Sequence, residues 1–289
     1  MRVLVTGAKG QLGFDVVKEL QKRGHEAFGL DVAEMDITDA LSVTNAFSKV
    51  KPEAVVHCAA WTAVDAAEEE ENVAKVREIN VNGTQNIVNE CKKLDCKLIY
   101  ISTDYVFDGK GSEPWKPDCK DYKPLSVYGK TKLEGEKAVA NSLNKFFIVR
   151  IAWVFGLNGK NFVKTMLSVG KTHGTVRVVN DQIGTPTYTY DLARLLVDMA
   201  ESEQYGYYHA TNEGGYISWY DFTKEIFKQA GYATEVVPVS TAEYGLSKAA
   251  RPFNSRLDKS KLREKGFEPL PVWQDALKRY LEELENGTN

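Results

Sequence analysis

The chain has 289 residues, 43% of them hydrophobic and 27% charged, which is the balance of a folded globular protein and not of a disordered or fibrous one. Its formal net charge of −3, with no run of Lys or Arg, excludes the clustered cations that nucleic-acid phosphates require. No apolar run approaches the ~18 residues of a membrane span, and the opening Met1–Gly7 stretch is too short for a signal-peptide core, so a cytoplasmic protein without membrane insertion is expected.

In chain order, apolar periodicity predicts a strand at Arg2–Thr6 and a helix at Gly10–Lys22 with Leu12, Val16, Val17 and Leu20 on one face. A strand at His25–Asp31 follows, then a helix at Asp39–Lys49 opened by an Asp cap. Ala54–Ala59 lacks polar alternation, as a strand covered on both faces does. A long helix is predicted at Ala74–Cys91, a buried strand at Lys97–Ser102, a helix at Leu125–Asn141 and a strand at Lys145–Ile151. This alternation specifies an α/β fold, a Rossmann-type doubly wound parallel sheet with helices on both faces. Beyond about residue 155 the rhythm loosens. Helices are predicted at Asn161–Gly170, Tyr190–Ala200, Ser218–Gly231 and Trp273–Leu284, with one strand at Thr175–Val179 and prolines 238, 252, 269 and 271 between elements.

The first strand runs into Thr6-Gly7-Ala8-Lys9-Gly10-Gln11-Leu12-Gly13. The glycines follow G-x-x-G-x-x-G spacing. Gly7 permits a sharp exit from the strand, Gly10 lets backbone approach a pyrophosphate at a helix N-terminus, and Gly13 lets the helix pack against the sheet. Gln11 and Leu12 open that helix beside the phosphates. The second strand ends at Asp31, about 20 residues beyond the loop, where a carboxylate accepts hydrogen bonds from an adenosine ribose and repels a 2′-phosphate. That favours NADH over NADPH, although Lys9 softens the preference. Asp36 and Ile37 are placed to flank the adenine. Ala59 and Ala60 leave room for the cofactor at the switch point of the sheet. Residues 1–155 therefore form the expected dinucleotide-binding domain. Residues 156–289 form mainly a smaller, irregular substrate lobe, with segments near 175–210 free to return to the first.

The strand at 97–102 delivers Ile101, Thr103 and Asp104 to the carboxyl edge of the sheet, where ligands of such folds bind. Tyr128 and Lys132 are four apart and share one helix face. A free phenol titrates near pH 10, and a neighbouring ammonium is expected to lower that value and bring it toward efficient proton transfer. Thr103 would hold a substrate carbonyl oxygen beside Tyr128, and Lys132 would reach the nicotinamide ribose. Asn80, inside the long helix, faces a catalytic water, a backbone carbonyl or solvent. Cys58, Cys91, Cys96 and Cys119 match no zinc pattern and are too sparse for a disulfide scaffold. His25, His57, His173 and His209 are scattered, so no zinc site is expected.

These elements together resemble the extended short-chain dehydrogenase/reductase family. Within it, Ala59–Asp65, Ser102–Gly109, Tyr128–Glu136, Arg150–Gly156, Asn180–Thr187 and Arg251–Leu257 resemble the dTDP-4-dehydrorhamnose reductases over nearly the whole chain. The resemblance implies NADH- or NADPH-dependent reduction of the C4 ketone of a dTDP-4-dehydro-β-L-rhamnose to dTDP-L-rhamnose. It makes Tyr128 the proton donor, Lys132 its partner on the cofactor and Thr103 a tuning group. It places Thr103, Asp104 and Trp153 on the sugar nucleotide, with Asn254, Ser255 and Arg256 as helpers. Arg256 is equally suited to a diphosphate or to a surface ion pair. A homodimer fits the resemblance. Some members hold Mg2+ between subunits, but no carboxylate cluster in this sequence supports it. Three other readings share the fold: a dinucleotide-binding regulatory subunit of the methionine adenosyltransferase type, a sugar-nucleotide epimerase, and a sister reductase that forms 6-deoxy-L-talose.

Overall fold

The computed structural model describes residues 1–286; residues 287–289, the end of the expected substrate lobe, lie outside the described residues. Six parallel strands form the main sheet: β1 (Arg2–Thr6), β2 (Glu26–Leu30), β3 (Ala54–His57), β4 (Lys97–Thr103), β5 (Phe146–Ile151) and, much later in the chain, a strand at Gly206–His209. Their spatial order runs from that late strand through β5, β4, β3 and β1 to β2. The chain starts in the interior of the sheet, goes outward to β2, then returns past β1 to β3 and proceeds the other way. The reversal opens a crevice at the carboxyl ends of β1 and β3, the switch point where such sheets bind ligands.

Helices α1 (Gln11–Lys22), α2 (Ala40–Val50), α3 (Glu70–Arg77), α4 (Thr84–Leu94) and α5 (Val127–Ser142) make the crossovers. Val3, Val5, Ile99, Phe147 and Val149 pack on one face of the sheet with Leu12, Val16 and Leu20 of α1. Leu4, Val55, Leu98, Tyr100 and Ile148 pack on the other with Phe47, Ile87, Val88 and Val139. Both faces are thus dry, which is why β3 and β4 read as unbroken apolar runs. Asp39 caps α2 as expected, accepting from the Leu41 amide at 2.9 Å.

The remaining strands are β6 (Val154–Phe155), β7 (Thr175–Val179), β8 (Ile183–Gly184), β9 (Thr187–Tyr188), β10 (Gly206–His209, the sixth strand above), β11 (Ile217–Ser218) and β12 (Glu235–Val239). With them come α6 (Phe162–Thr172), α7 (Thr189–Glu201), α8 (Trp219–Gln229), α9 (Thr241–Tyr244), α10 (Ser260–Glu264) and α11 (Trp273–Asn286). Helix α7 lies on the main sheet with α1, through Leu192, Leu195, Leu196 and Met199. A separate core gathers Phe155, Val163, Tyr188, Phe222, Ile226, Trp273, Leu277 and Tyr280.

Two features differ from the sequence reading. The long helix expected at Ala74–Cys91 begins at Glu70, runs to Leu94 and is interrupted by a π-helical turn at Glu78–Gly83. The turn is pinned from outside: Asn80 Oδ1 accepts from the Trp61 amide at 2.8 Å, and its Nδ2 donates to Thr131 Oγ1 at 3.1 Å. A π turn adds a residue to the helix, a distortion that periodicity cannot register. The two-residue strands β6, β8, β9 and β11, the strands β10 and β12, and the short helices α9 and α10 were not foreseen. β10 is four residues long, and β12 contains Pro238, which an edge strand tolerates because one of its sides is unpaired.

Candidate active site

A single cleft of about 900 Å3 runs along the carboxyl edge of the sheet, from Gly7, Gly10 and Asp31 at one end to Thr103, Tyr128 and Trp153 at the other. At the first end, Gly7 adopts φ +64°, a left-handed conformation, and a Cβ there would stand 2.9 Å from the Ala59 backbone. A Cβ on Gly13 would stand 2.2 Å from the Gly7 carbonyl oxygen, so α1 reaches the loop only because residue 13 is glycine. No side chain caps the start of α1, which leaves its first N–H groups free to meet an anion. Asp31 is fixed at the rim by the amides of Lys9 and Val32, each donating at 2.9 Å. The Lys9 ammonium pairs with Glu34 at 3.0 Å. Asp36 accepts from both the amide and the hydroxyl of Thr38, at 2.9 and 2.7 Å. Gln11, Leu12, Ile37, Ala59, Ala60 and Ile101 complete this wall. The narrow glycine turn, the small Ala59–Ala60 pair and a ribose-height carboxylate fit a dinucleotide.

Behind the wall lies a buried hydrogen-bond chain. The Ala59 amide donates to Thr6 Oγ1 at 3.0 Å, Thr6 Oγ1 lies 2.7 Å from His57 Nδ1, His57 Nε2 lies 3.2 Å from Thr84 Oγ1, and Thr84 donates to the Asn80 carbonyl at 2.8 Å. The Thr84 hydroxyl proton is committed to Asn80, so His57 donates from Nε2 and accepts at Nδ1. Burial, reinforced by the Lys132 charge, lowers His57 to about 3 and keeps it neutral.

At the far end, β4 delivers Thr103 and Asp104, and α5 presents Tyr128 and Lys132 one turn apart. Ser126 caps α5 by accepting from the Gly129 amide at 3.1 Å. Gly129 lets the helix approach the Tyr105 carbonyl, which a Cβ would meet at 2.3 Å. Thr103 donates to Asp104 Oδ1 at 2.9 Å and accepts from the Tyr105 amide at 3.2 Å. Burial pushes the Asp104 carboxyl up to about 6, against the hydrogen bonds from Ser255 and Thr103.

The structure reverses the direction expected for Tyr128. Lys132 was expected to lower it; instead burial raises Tyr128 well above a free phenol, with the negative potential of Asp104 and Tyr105 adding to the rise and the Thr103 hydroxyl opposing it. Burial is also the larger influence on Lys132, pushing it down to about 7 although Glu136 favours its charge. For each of the two groups desolvation outweighs the contacts that favour its charged form.

Trp153 lines the cleft in a left-handed conformation, φ +52°, unusual for so large a side chain. Its indole stacks on Trp219 with centroids 3.7 Å apart and planes inclined by 16°. Asn254, Ser255 and Arg256 are not brought to the cleft wall. The Asn254 amide donates to the carbonyls of Lys110 and Glu113 at 3.2 and 2.9 Å, its oxygen accepts from Arg256 at 3.0 Å, and Ser255 donates to Asp104 Oδ2. These three therefore brace the loop behind Asp104. Tyr105, Lys75 and Glu78 also line the cleft and were not singled out from sequence. Only Tyr105 carried a signal, its place in the Ser-Thr-Asp-Tyr run. Among the described residues no cluster of three or more His, Cys, Asp or Glu is arranged to hold a metal ion, and no helix is long and apolar enough to cross a membrane.

A parallel sheet that brings a phosphate-sized glycine turn and a Thr–Tyr–Lys group into one crevice defines a Rossmann-type oxidoreductase that binds a nicotinamide dinucleotide. The chain belongs to the family described as the RmlD substrate binding domain, whose model matches residues 1–286. It is 41% identical over 291 residues to a dTDP-4-dehydrorhamnose reductase of Aggregatibacter actinomycetemcomitans, covering 96% of this chain and 97% of the relative. It is similar to a dTDP-4-dehydrorhamnose reductase structure from Clostridium acetobutylicum, with TM-score 0.94, 42% identity and coverage of 99% of this chain and 100% of the other. The dTDP-4-dehydrorhamnose reductase structure from Bacillus anthracis, in complex with NADP, matches with TM-score 0.93 and 39% identity over 98% of this chain and 99% of that one.

Proposed function

We propose that this chain reduces the C4 ketone of dTDP-4-dehydro-β-L-rhamnose to the alcohol of dTDP-L-rhamnose, as a dTDP-4-dehydrorhamnose reductase. The observation that carries the reading is the convergence of Thr103, Tyr128 and Lys132 on the same cleft as the glycine turn, in a family whose full-length relatives bear that name. The nicotinamide, when bound, supplies the hydride. Tyr128 stays protonated across the neutral range, because burial raises its pKa, and holds at its phenolic oxygen the proton that the carbonyl oxygen takes up. Its phenolate is then stabilised by the Lys132 ammonium. Thr103 donates to Asp104 and accepts from the Tyr105 amide, so its hydroxyl is held in a fixed orientation at the cleft wall beside Tyr128. Trp153, braced by Trp219, presents an aromatic wall to the sugar nucleotide.

Gly7, Gly10, Gln11, Leu12, Asp31, Asp36, Ile37, Ala59, Ala60 and Ile101 would hold the cofactor. We further propose a preference for NADH. A 2′-phosphate on the adenosine ribose would meet Asp31 and Glu34, and the nearby cation, Lys9, is already paired with Glu34. The test is a coupled assay in which dTDP-glucose is converted to the 4-keto intermediate and NADH absorbance is followed. Stoichiometric loss of NADH with formation of the rhamnose nucleotide, identified by NMR, is expected. No consumption at high enzyme concentration, or a product with the opposite C4 configuration, overturns the assignment.

A further inference from the structure

Lys132 does its work with a charge that its surroundings disfavour, so something must hold that charge in place. The groups facing it are few. On its own helix they are Tyr128 and Glu136, and Glu136 is held by Arg150 through two hydrogen bonds of 2.8 Å. From the end of β3 comes His57, kept neutral by burial, and from the residue after it the Cys58 thiol, which burial pushes up to about 12 and so also keeps neutral. From β4 comes Tyr100. The Lys132 ammonium lies 4.1 Å from the centroid of the Tyr100 ring. The Tyr100 hydroxyl donates to the backbone carbonyl of the same lysine at 3.3 Å. One side chain thus touches Lys132 at both ends.

The placement is built rather than incidental. Tyr100 is fully buried in β4, three residues before Thr103, with His57 opposite it in the strand register. Its hydroxyl fits under α5 only because residue 135 is glycine; a Cβ there would stand 2.2 Å from the phenolic oxygen. The electron-rich face of an aromatic ring attracts a cation most strongly where water is excluded.

We propose that Tyr100 is a positioning residue for Lys132: its ring face holds the ammonium charged and at the level of the cleft, and its hydroxyl fixes that turn of α5. The proposal rests on the reading above, in which Lys132 serves Tyr128. Weakening the ring face favours the neutral amine, so the pH above which activity is lost moves downward.

The test replaces Tyr100 in the full chain by phenylalanine and by phenylalanines carrying two, three and five ring fluorines, which drain the ring face while keeping its shape. Tyr100→Phe removes the hydroxyl and keeps the ring face, so its kcat is expected to fall as that turn of α5 loosens while its alkaline limb stays in place, and it is the reference for the fluorinated series. Progressive fluorination is expected to lower the alkaline limb of the kcat/KM profile stepwise, by about half to one and a half pH units in total. Tyr100→Leu, which has no ring, serves as a second variant with the same expected direction, and each protein is first checked for native circular dichroism. An alkaline limb that stays put through the folded fluorinated series, or in folded Tyr100→Leu, overturns the proposal. Lys132→Met separates the two readings: near-normal turnover in that variant defeats the role of Lys132 itself, whereas loss there with an unmoved fluorinated series defeats only the role of Tyr100.

Discussion

Glu136→Gln changes one charge in the interior of the protein and leaves the shape of the side chain. Glu136 and Arg150 are the most deeply buried ion pair described, with side chains 1% and 0% exposed. Burial works against the Arg150 charge, but the hydrogen bonds and the charge of Glu136 more than offset it and raise its pKa. Arg150 also donates to the Pro117 carbonyl and to Tyr122 Oη, each at 3.0 Å, so the pair ties α5, β5 and the segment around residues 107–122 together. Removing one partner of such a pair leaves an uncompensated buried charge and costs about 3–5 kcal/mol. Against a total stability of about 5–15 kcal/mol, that is a large fraction. Equilibrium urea unfolding at neutral pH, followed by tryptophan fluorescence, measures it. The double variant Glu136→Leu with Arg150→Met should recover most of the loss, because neither charge then remains. Both variants should also lower the alkaline limb of activity, since Glu136 favours the charged form of Lys132 one turn away. A loss under about 1 kcal/mol for Glu136→Gln, or a double variant no better than the single, would refute the description of this pair.

Tyr128→Phe should lower kcat by roughly 100-fold or more while leaving the dissociation constant for NADH nearly unchanged; normal turnover would remove Tyr128 as the proton donor. Asp31→Ala and Glu34→Gln should each raise the ratio of kcat/KM for NADPH over NADH by about tenfold, by removing a carboxylate from the neighbourhood of the 2′-phosphate; an unchanged ratio argues that this rim does not select the cofactor. Asp15, whose carboxylate accepts from Thr189 at 2.5 Å, is pushed up to about 6 by burial. A raised folded-state value means that its contribution to stability is full below about pH 4 and is lost as pH rises through about 6. Asp15→Asn should therefore be more stable than the parent at pH 7, by up to about 3 kcal/mol, with the difference vanishing below about pH 4. A difference that does not change with pH in urea titrations would contradict the raised value.

What could be read from the sequence is what depends on near neighbours in the chain. Glycines 7, 10 and 13 sit between a strand and a helix, so their conformational purpose follows from local geometry. Tyr128 and Lys132 share a face because a helix repeats every 3.6 residues. Asp31 ends a strand whose apolar pattern is visible without coordinates. The tertiary structure decided whatever depends on residues brought together from afar. Ser255 lies 151 residues from Asp104, yet donates to it, a contact that residue order does not announce. Strand β10 joins the main sheet beside β5 only because β5 offers it an edge. The π turn at Asn80 answers to Trp61 and Thr131, both outside its own helix. Most tellingly, the Tyr–Lys spacing suggested a lowered phenol, whereas burial raises it, because desolvation is a property of the surrounding three-dimensional packing and leaves no trace in residue order.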